Sequence, residues 1–145
     1  MLSPDFKEFV ASLNDNQVRY LVVGGYAVAY HGNPRYTKDL DVWIERTPEN
    51  ATHVVMALKQ FGFESLGLKD GDFLVPNQIL QLGYPPNRID VHNTLEGVDF
   101  ASCYESRNRA DMDGVIVNFI DRENLKKNKR ACGRHQDLAD LDNLE

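Results

Sequence analysis

Val23-Gly24-Gly25-Tyr26-Ala27-Val28-Ala29-Tyr30-His31-Gly32, followed by Arg35-Tyr36-Thr37-Lys38-Asp39-Leu40-Asp41, is the stretch on which the fold turns. Residues 18 to 23 before and into it are rich in β-branched and aromatic side chains and read as a buried strand running into the glycine pair. Tyr26 to His31 then reads as a short helix closed by Gly32-Asn33-Pro34, and Leu40 to Ile44 as the next strand. Side chains alternate along a strand, so Asp39, Asp41 and Trp43 face one way while Leu40, Val42 and Ile44 face the other. Two like charges side by side against an apolar core repel each other and are costly to leave unpaired. A divalent cation resolves that conflict, since Mg²⁺ takes one or two carboxylates and completes its shell with water and phosphate oxygens.

Towards the N-terminus, Ser3-Pro4-Asp5 has the hydroxyl, proline and carboxylate of a helix start, and Phe6, Phe9, Val10 and Leu13 recur at helical spacing. Towards the C-terminus, Thr47-Pro48-Glu49 caps a helix that Gly62 stops. Phe63 to Leu66 reads as a strand, and Gly67, Asp70, Gly71 and Asp72 mark an irregular stretch. Ile79 to Leu82 and Arg88 to His92 are alternating runs that predict a hairpin with a longer loop; a second hairpin turns at Asp113-Gly114, with residues 115 to 120 returning. Asp121 caps a helix to Ala131, and Gly133 separates it from a last helix carrying Leu138, Leu141 and Leu144 on one side. Strands and helices in this order predict an α+β domain over residues 1–145, a mixed, mostly antiparallel sheet with helices packed on it.

The 145 residues suffice for one sizeable core. A hydrophobic fraction of 42% with 26% charged residues excludes a disordered or collagen-like chain. No apolar run approaches the roughly 20 residues of a membrane span, and residues 1–10 lack the unbroken apolar centre of a signal peptide, so a cytoplasmic protein with no membrane partner is expected. Cys103 and Cys132 have neither zinc-ligand spacing nor a framework of partners and read as reduced thiols. The net charge of −6 disfavours broad coating of nucleic acid. Lys126, Lys127, Lys129, Arg130 and Arg134 form a local basic stretch that reads as a solvated helix face, with Lys129 and Arg134 as candidate phosphate contacts.

Alternation on the later strand sets Ile89 and Val91 inward and Arg88, Asp90 and His92 on the opposite face. If that strand lies beside Leu40–Ile44, Asp90 is a third carboxylate; three carboxylates can hold two metals about 4 Å apart, suited to in-line displacement at phosphorus. Gly24 and Gly25, between strand and helix, would let phosphate oxygens approach backbone N–H groups at a positive helix end. Arg35, Thr37 and Lys38 precede the carboxylates where they could meet triphosphate oxygens. Against these stand plainer readings: a solvated strand edge for Asp39 and Asp41, an ion pair of Asp90 with Arg88 or Arg35, and space filling for Trp43.

The glycine pair, the thirteen-residue gap and Asp39-Leu40-Asp41 together resemble the signature of the DNA polymerase β-like nucleotidyltransferase superfamily. The fuller run looks like its small prokaryotic branch, which includes minimal nucleotidyltransferases and the toxin group associated with abortive infection. Arg88-Ile89-Asp90-Val91-His92 is similar to the strand bearing the third carboxylate, and Lys129 through Gly133-Arg134 to Asp137, Leu138, Asp140 and Leu141 resembles the close of these domains. The resemblance implies a minimal nucleotidyltransferase fold. It implies Asp39, Asp41 and Asp90 as catalytic, metal-holding carboxylates for Mg²⁺ or Mn²⁺. It implies Gly24 and Gly25 as the phosphate turn; Arg35, Thr37 and Lys38, by their position alone, are candidate nucleotide contacts, and surface solubility accounts equally well for Arg35 and Lys38. The implied partners are a nucleoside triphosphate and a protein or RNA acceptor, with a small helical partner protein if the chain belongs to a toxin–antitoxin pair. One departure is Gly25, where many members of the superfamily have serine. The competing expectation is a non-catalytic nucleotide-binding module that regulates or neutralises a partner.

Overall fold

The computed structural model describes residues 2–32, 39–84 and 86–144. Helix α1 (Pro4–Asp15) starts as the sequence predicts: Ser3 Oγ accepts from the Phe6 N–H at 3.2 Å, and Phe6, Phe9, Val10 and Leu13 are buried. Strand β1 (Tyr20–Val23) is buried along its whole length. Helix α2 (Gly24–His31) follows with no intervening loop, two residues earlier than its apolar pattern suggests. Next come β2 (Leu40–Ile44) and α3 (Pro48–Phe61), the latter capped by Thr47 and ended by Gly62 in the left-handed region.

Phe63 to Leu66 is not a strand. Glu64–Leu66 forms a 3₁₀ turn, and a second covers Asp70–Phe73. Phe63 packs on Phe61, ring centroids 5.3 Å apart, and the chain turns on the helix end before it can extend. Strands β3 (Ile79–Leu82) and β4 (Ile89–His92) form the predicted hairpin. The short helix α4 (Phe100–Glu105), capped by Asp99, carries no clear helical period and is absent from the sequence expectation. The second hairpin, β5 (Asn108–Met112) and β6 (Val115–Phe119), turns at Asp113-Gly114, both with positive φ. Helices α5 (Arg122–Cys132) and α6 (His135–Leu144) flank Gly133.

The six strands of the described residues make one mixed sheet in the order β3-β4-β2-β1-β6-β5. The β1–β2, β3–β4 and β5–β6 contacts are antiparallel, whereas β2–β4 and β1–β6 are parallel. The chain is thus an α+β fold in which β1 and β2, the strands that flank the glycine pair, occupy the centre. Asn50, buried at the start of α3, accepts from the Arg19 N–H and donates to the Arg19 and Glu45 carbonyls, tying the head of β1 to the tail of β2. Among the described residues no helix is long and apolar enough to cross a membrane.

The last helix departs from expectation. Leu138 is exposed, and the buried positions are Asp137, Asp140 and Leu144. Polar contacts with α5, not a leucine stripe, seat this helix.

Candidate functional site: a carboxylate cleft

The parallel register of β2 and β4 sets Asp41 directly beside Asp90, with Leu40 beside Ile89 and Trp43 beside His92. Asp39 lies one residue before β2, on the same face as Asp41. The adjacency that alternation alone left conditional is therefore present, and all three acids stand at one end of the sheet.

The carboxylates are engaged by the chain's own bases. Arg88 donates from Nη2 to Asp39 Oδ2 at 2.7 Å, and from Nε and Nη2 to the two oxygens of Asp90 at 3.1 Å each. One guanidinium thus bridges two of the three acids. His92 Nε2 lies 2.8 Å from Asp41 Oδ1; an ionised carboxylate only accepts, so this nitrogen carries the proton. Asp90 is buried, and its carboxyl is held above the usual carboxylate range, first by that burial and also by the charges of Asp41 and Asp39, with the Arg88 contacts opposing. The Arg88 guanidinium is raised in turn, chiefly by its hydrogen bond to Asp90.

Gly24 opens α2 beside Asp41, because Val23 is the register partner of Asp41 in β1. Its φ is +63°, and a β-carbon there would overlap the Asp41 carboxylate, with Cγ only 2.9 Å away. The first demand for glycine at this position is thus the acid itself. Gly25 is buried as the second residue of the helix.

The opposite wall comes from α5 and the 94–97 loop. Asn128 Nδ2 donates to the Glu96 carbonyl at 2.9 Å, and Gly97 (φ +79°) lets the loop press on Ala131. The resulting cleft, about 410 Å³, is lined by Gly24, Asp41, Asp90, His92, Lys129 and Arg134 among others. That volume suits a small-molecule ligand.

Lys129 is not on a solvated helix face. It is buried, with Nζ 3.2 Å from both Asp137 Oδ1 and Asp140 Oδ2, and Arg134 Nε donates to Asp137 Oδ2 at 2.7 Å. Burial would raise Asp137, but the Arg134 and Lys129 hydrogen bonds outweigh it and hold the acid below the usual range. The sequence signal for this cluster is the turn at Gly133, which folds α6 back on α5 and brings positions eight and eleven residues beyond Lys129 against it.

Trp43 is buried, edge-on to Phe100 at 5.0 Å, and fills space rather than offering a stacking face. His31 hydrogen-bonds the Ile120 carbonyl at 2.6 Å. Cys103 and Cys132 are free thiols, the first buried. Arg35, Thr37 and Lys38 lie outside the described residues.

Among the described residues no three Asp, Glu, His or Cys side chains converge so as to hold a metal ion directly. The acids point at Arg88 and His92 instead. The donor set is nonetheless that of a hard divalent cation, and one acceptor is open: Asp39 Oδ1 is buried with no hydrogen-bond partner among the described residues. Asp39, Asp41 and Asp90 could hold such a cation once Arg88 and His92 turned aside. No protein-family model matches the chain, and no curated protein does.

Proposed function

We propose that the chain is a metal-dependent nucleotidyltransferase with the minimal nucleotidyltransferase fold, moving a nucleoside monophosphate from a triphosphate to a hydroxyl of a protein or RNA acceptor. The observation that carries this reading is the register of β2 and β4, which sets Asp90 beside Asp41 at the point where Gly24 opens the helix. Three acids gathered at a strand-to-helix turn, with Asp41 and Asp90 on the wall of a ligand-sized cleft, are what the resemblance requires of its residues.

Mg²⁺ or Mn²⁺ held by Asp39, Asp41 and Asp90 would supply charge neutralisation at the α-phosphate and at the leaving pyrophosphate. The chain's own part is placement. Gly24 and Gly25 keep side chains away from the N-terminus of α2, leaving its N–H groups for phosphate oxygens. Lys129 and Arg134 line the opposite wall, where their remaining N–H donors would face the triphosphate. The acceptor oxygen forms its bond to the α-phosphorus as the bond to pyrophosphate breaks, and its proton passes to a carboxylate or to water.

A second reading has its own observation. Arg88 and His92 already hydrogen-bond all three acids, as a non-catalytic binding module would need. The two separate on incorporation of α-radiolabelled triphosphate, each of the four nucleotides in turn, into the protein and RNA fractions of a cell extract. Asp90→Asn is expected to keep most triphosphate affinity and to cut labelling roughly a hundredfold. Wild type that binds metal and triphosphate yet labels neither fraction sinks the transferase and leaves the binding module.

A further inference from the structure

A second cleft, larger than the acidic one, lies elsewhere in the described residues. It measures about 610 Å³, shares no lining residue with the carboxylate cleft, and opens where β1 begins, between the end of α1 and the β5–β6 hairpin. Val18, just before β1, lines one cleft and Gly24, just after it, lines the other, so the two open at opposite ends of that strand.

Arg107, just before β5, and Arg109, on it, are two residues apart and so share a face; both line this cleft. Arg107 is already positioned. Its guanidinium carbon sits 4.0 Å from the centroid of the Tyr104 ring, Nη1 donates to the Tyr104 carbonyl at 2.8 Å, and Nε is buried with no partner. The Tyr104 ring is itself held, stacked on Phe100 and approached by Arg19 at 4.4 Å. Arg109 is exposed, and neither arginine has a carboxylate partner among the described residues.

Arg19, Arg88 and Arg134, by contrast, are each held by an acid, in a chain with 22 acidic and 16 basic residues. Asp15 also lines the cleft and accepts from Gln60 at 2.8 Å, and Asp111, next on the same strand face, accepts from the Gly114 N–H at 2.7 Å, so neither acid is bonded to Arg107 or Arg109. A buried N–H without a partner costs free energy that a ligand oxygen reaching it would recover.

We propose that this cleft is a second binding site, for a phosphate group, with Arg107 and Arg109 as its anchors. The guanidinium fork matches phosphate oxygens, and a phosphate monoester with a charge of about −1.5 to −2 balances two arginines where a single carboxylate would not. The phosphate belongs either to a small phosphorylated molecule or to a nucleic-acid strand.

The test follows backbone amide NMR shifts of the full, metal-free chain titrated with inorganic phosphate, with acetate at matched ionic strength as the control. Phosphate is expected to shift Arg107, Arg109 and Asn118 saturably while leaving Gly24 and Asp41 in place. Arg109→Ala should weaken binding by roughly tenfold, and Arg109→Glu should abolish it. Arg109 is exposed, so both variants should fold; Arg107→Lys, which keeps the charge and loses the fork, should weaken binding as well. A short single-stranded RNA that binds much more tightly than phosphate, and loses that affinity in Arg109→Glu, assigns the phosphate to a strand; RNA no tighter than phosphate assigns it to a small molecule. Absence of a saturable shift, an unchanged shift in Arg109→Glu, or an equal response to acetate overturns the site.

Discussion

Two acidic clusters flank the same cleft, and they solve the problem of charge differently. At the β2–β4 end, Asp39, Asp41 and Asp90 face one guanidinium and one imidazole. At the α5–α6 end, Asp137 and Asp140 face Lys129 and Arg134, two acids against two permanent cations, with both acids sealed from solvent. The first cluster carries surplus negative charge and stays partly open; the second is balanced and closed. Buried charge is tolerated when paired and hydrogen-bonded, so the balanced cluster is complete as structure. The surplus in the other is what the proposed divalent cation would offset. The acids record the contrast in opposite shifts, Asp137 pulled down by its cations and Asp90 pushed up by burial and by its neighbours.

The largest expected effect breaks the balanced cluster. Lys129→Met leaves two sealed carboxylates short of a cation, and urea unfolding should show a loss of about 3–5 kcal/mol. A loss below about 1 kcal/mol would mean that the cluster does not hold α6 in place.

Next comes Gly24→Ala, which adds a β-carbon at positive φ and against the Asp41 carboxylate; a loss of about 2 kcal/mol or more is expected. Asp41→Gly removes the obstacle. The Gly24→Ala cost measured in that background should fall by at least about 0.5 kcal/mol, and strict additivity would show that the two positions do not collide.

Divalent metal sharpens the comparison further. Mg²⁺ or Mn²⁺ should raise the melting temperature of the wild type by binding the native state, and Asp39→Asn with Asp41→Asn should remove that rise. Arg88→Gln, which withdraws the competing guanidinium, should lower the metal concentration required by roughly tenfold. An equal rise in the double variant would place the ion elsewhere.

The smallest effect is in the pH dependence. Asp137, lowered in the folded state, contributes stability that is present above the unfolded carboxylate pKa and lost as pH falls through its folded value. Asp90, raised in the folded state, works the other way. Its ionisation costs stability at neutral pH, and the cost disappears as pH falls through its folded value towards the unfolded one. Asp90→Asn should therefore stabilise slightly at pH 7, by under about 1 kcal/mol, and the gap from wild type should close on acidification. A gap that widens as pH falls would reverse the sign assigned to Asp90.

Much of the architecture was legible because local rules decide it. Ser3, Thr47 and Asp121 cap helices where their side chains can reach free N–H groups, and the Asp113-Gly114 turn follows from its need for positive φ. Phe63–Leu66 and α4 were not legible: a strand-like composition lost to packing on Phe61, and a six-residue helix is too short to show a period. For the site, alternation placed Asp39 with Asp41 and Arg88 with Asp90 and His92. It missed that Arg88 spans two acids on different strands and that Lys129 is buried.

The sequence by itself determined which residues are acidic, which face of each strand they occupy and where α1, α3 and α5 start, because those properties depend on neighbours within a few positions along the chain. Only the tertiary structure decided that β4 lies parallel to β2, so that Asp90 stands beside Asp41, and that Gly24 is pressed against that same acid. It alone decided that α6 turns back to bury Lys129, and that Arg107 and Arg109 meet the end of α1. Strand order and helix return are set by burying one shared core, and free energy gained across the whole sheet leaves no mark at any single position.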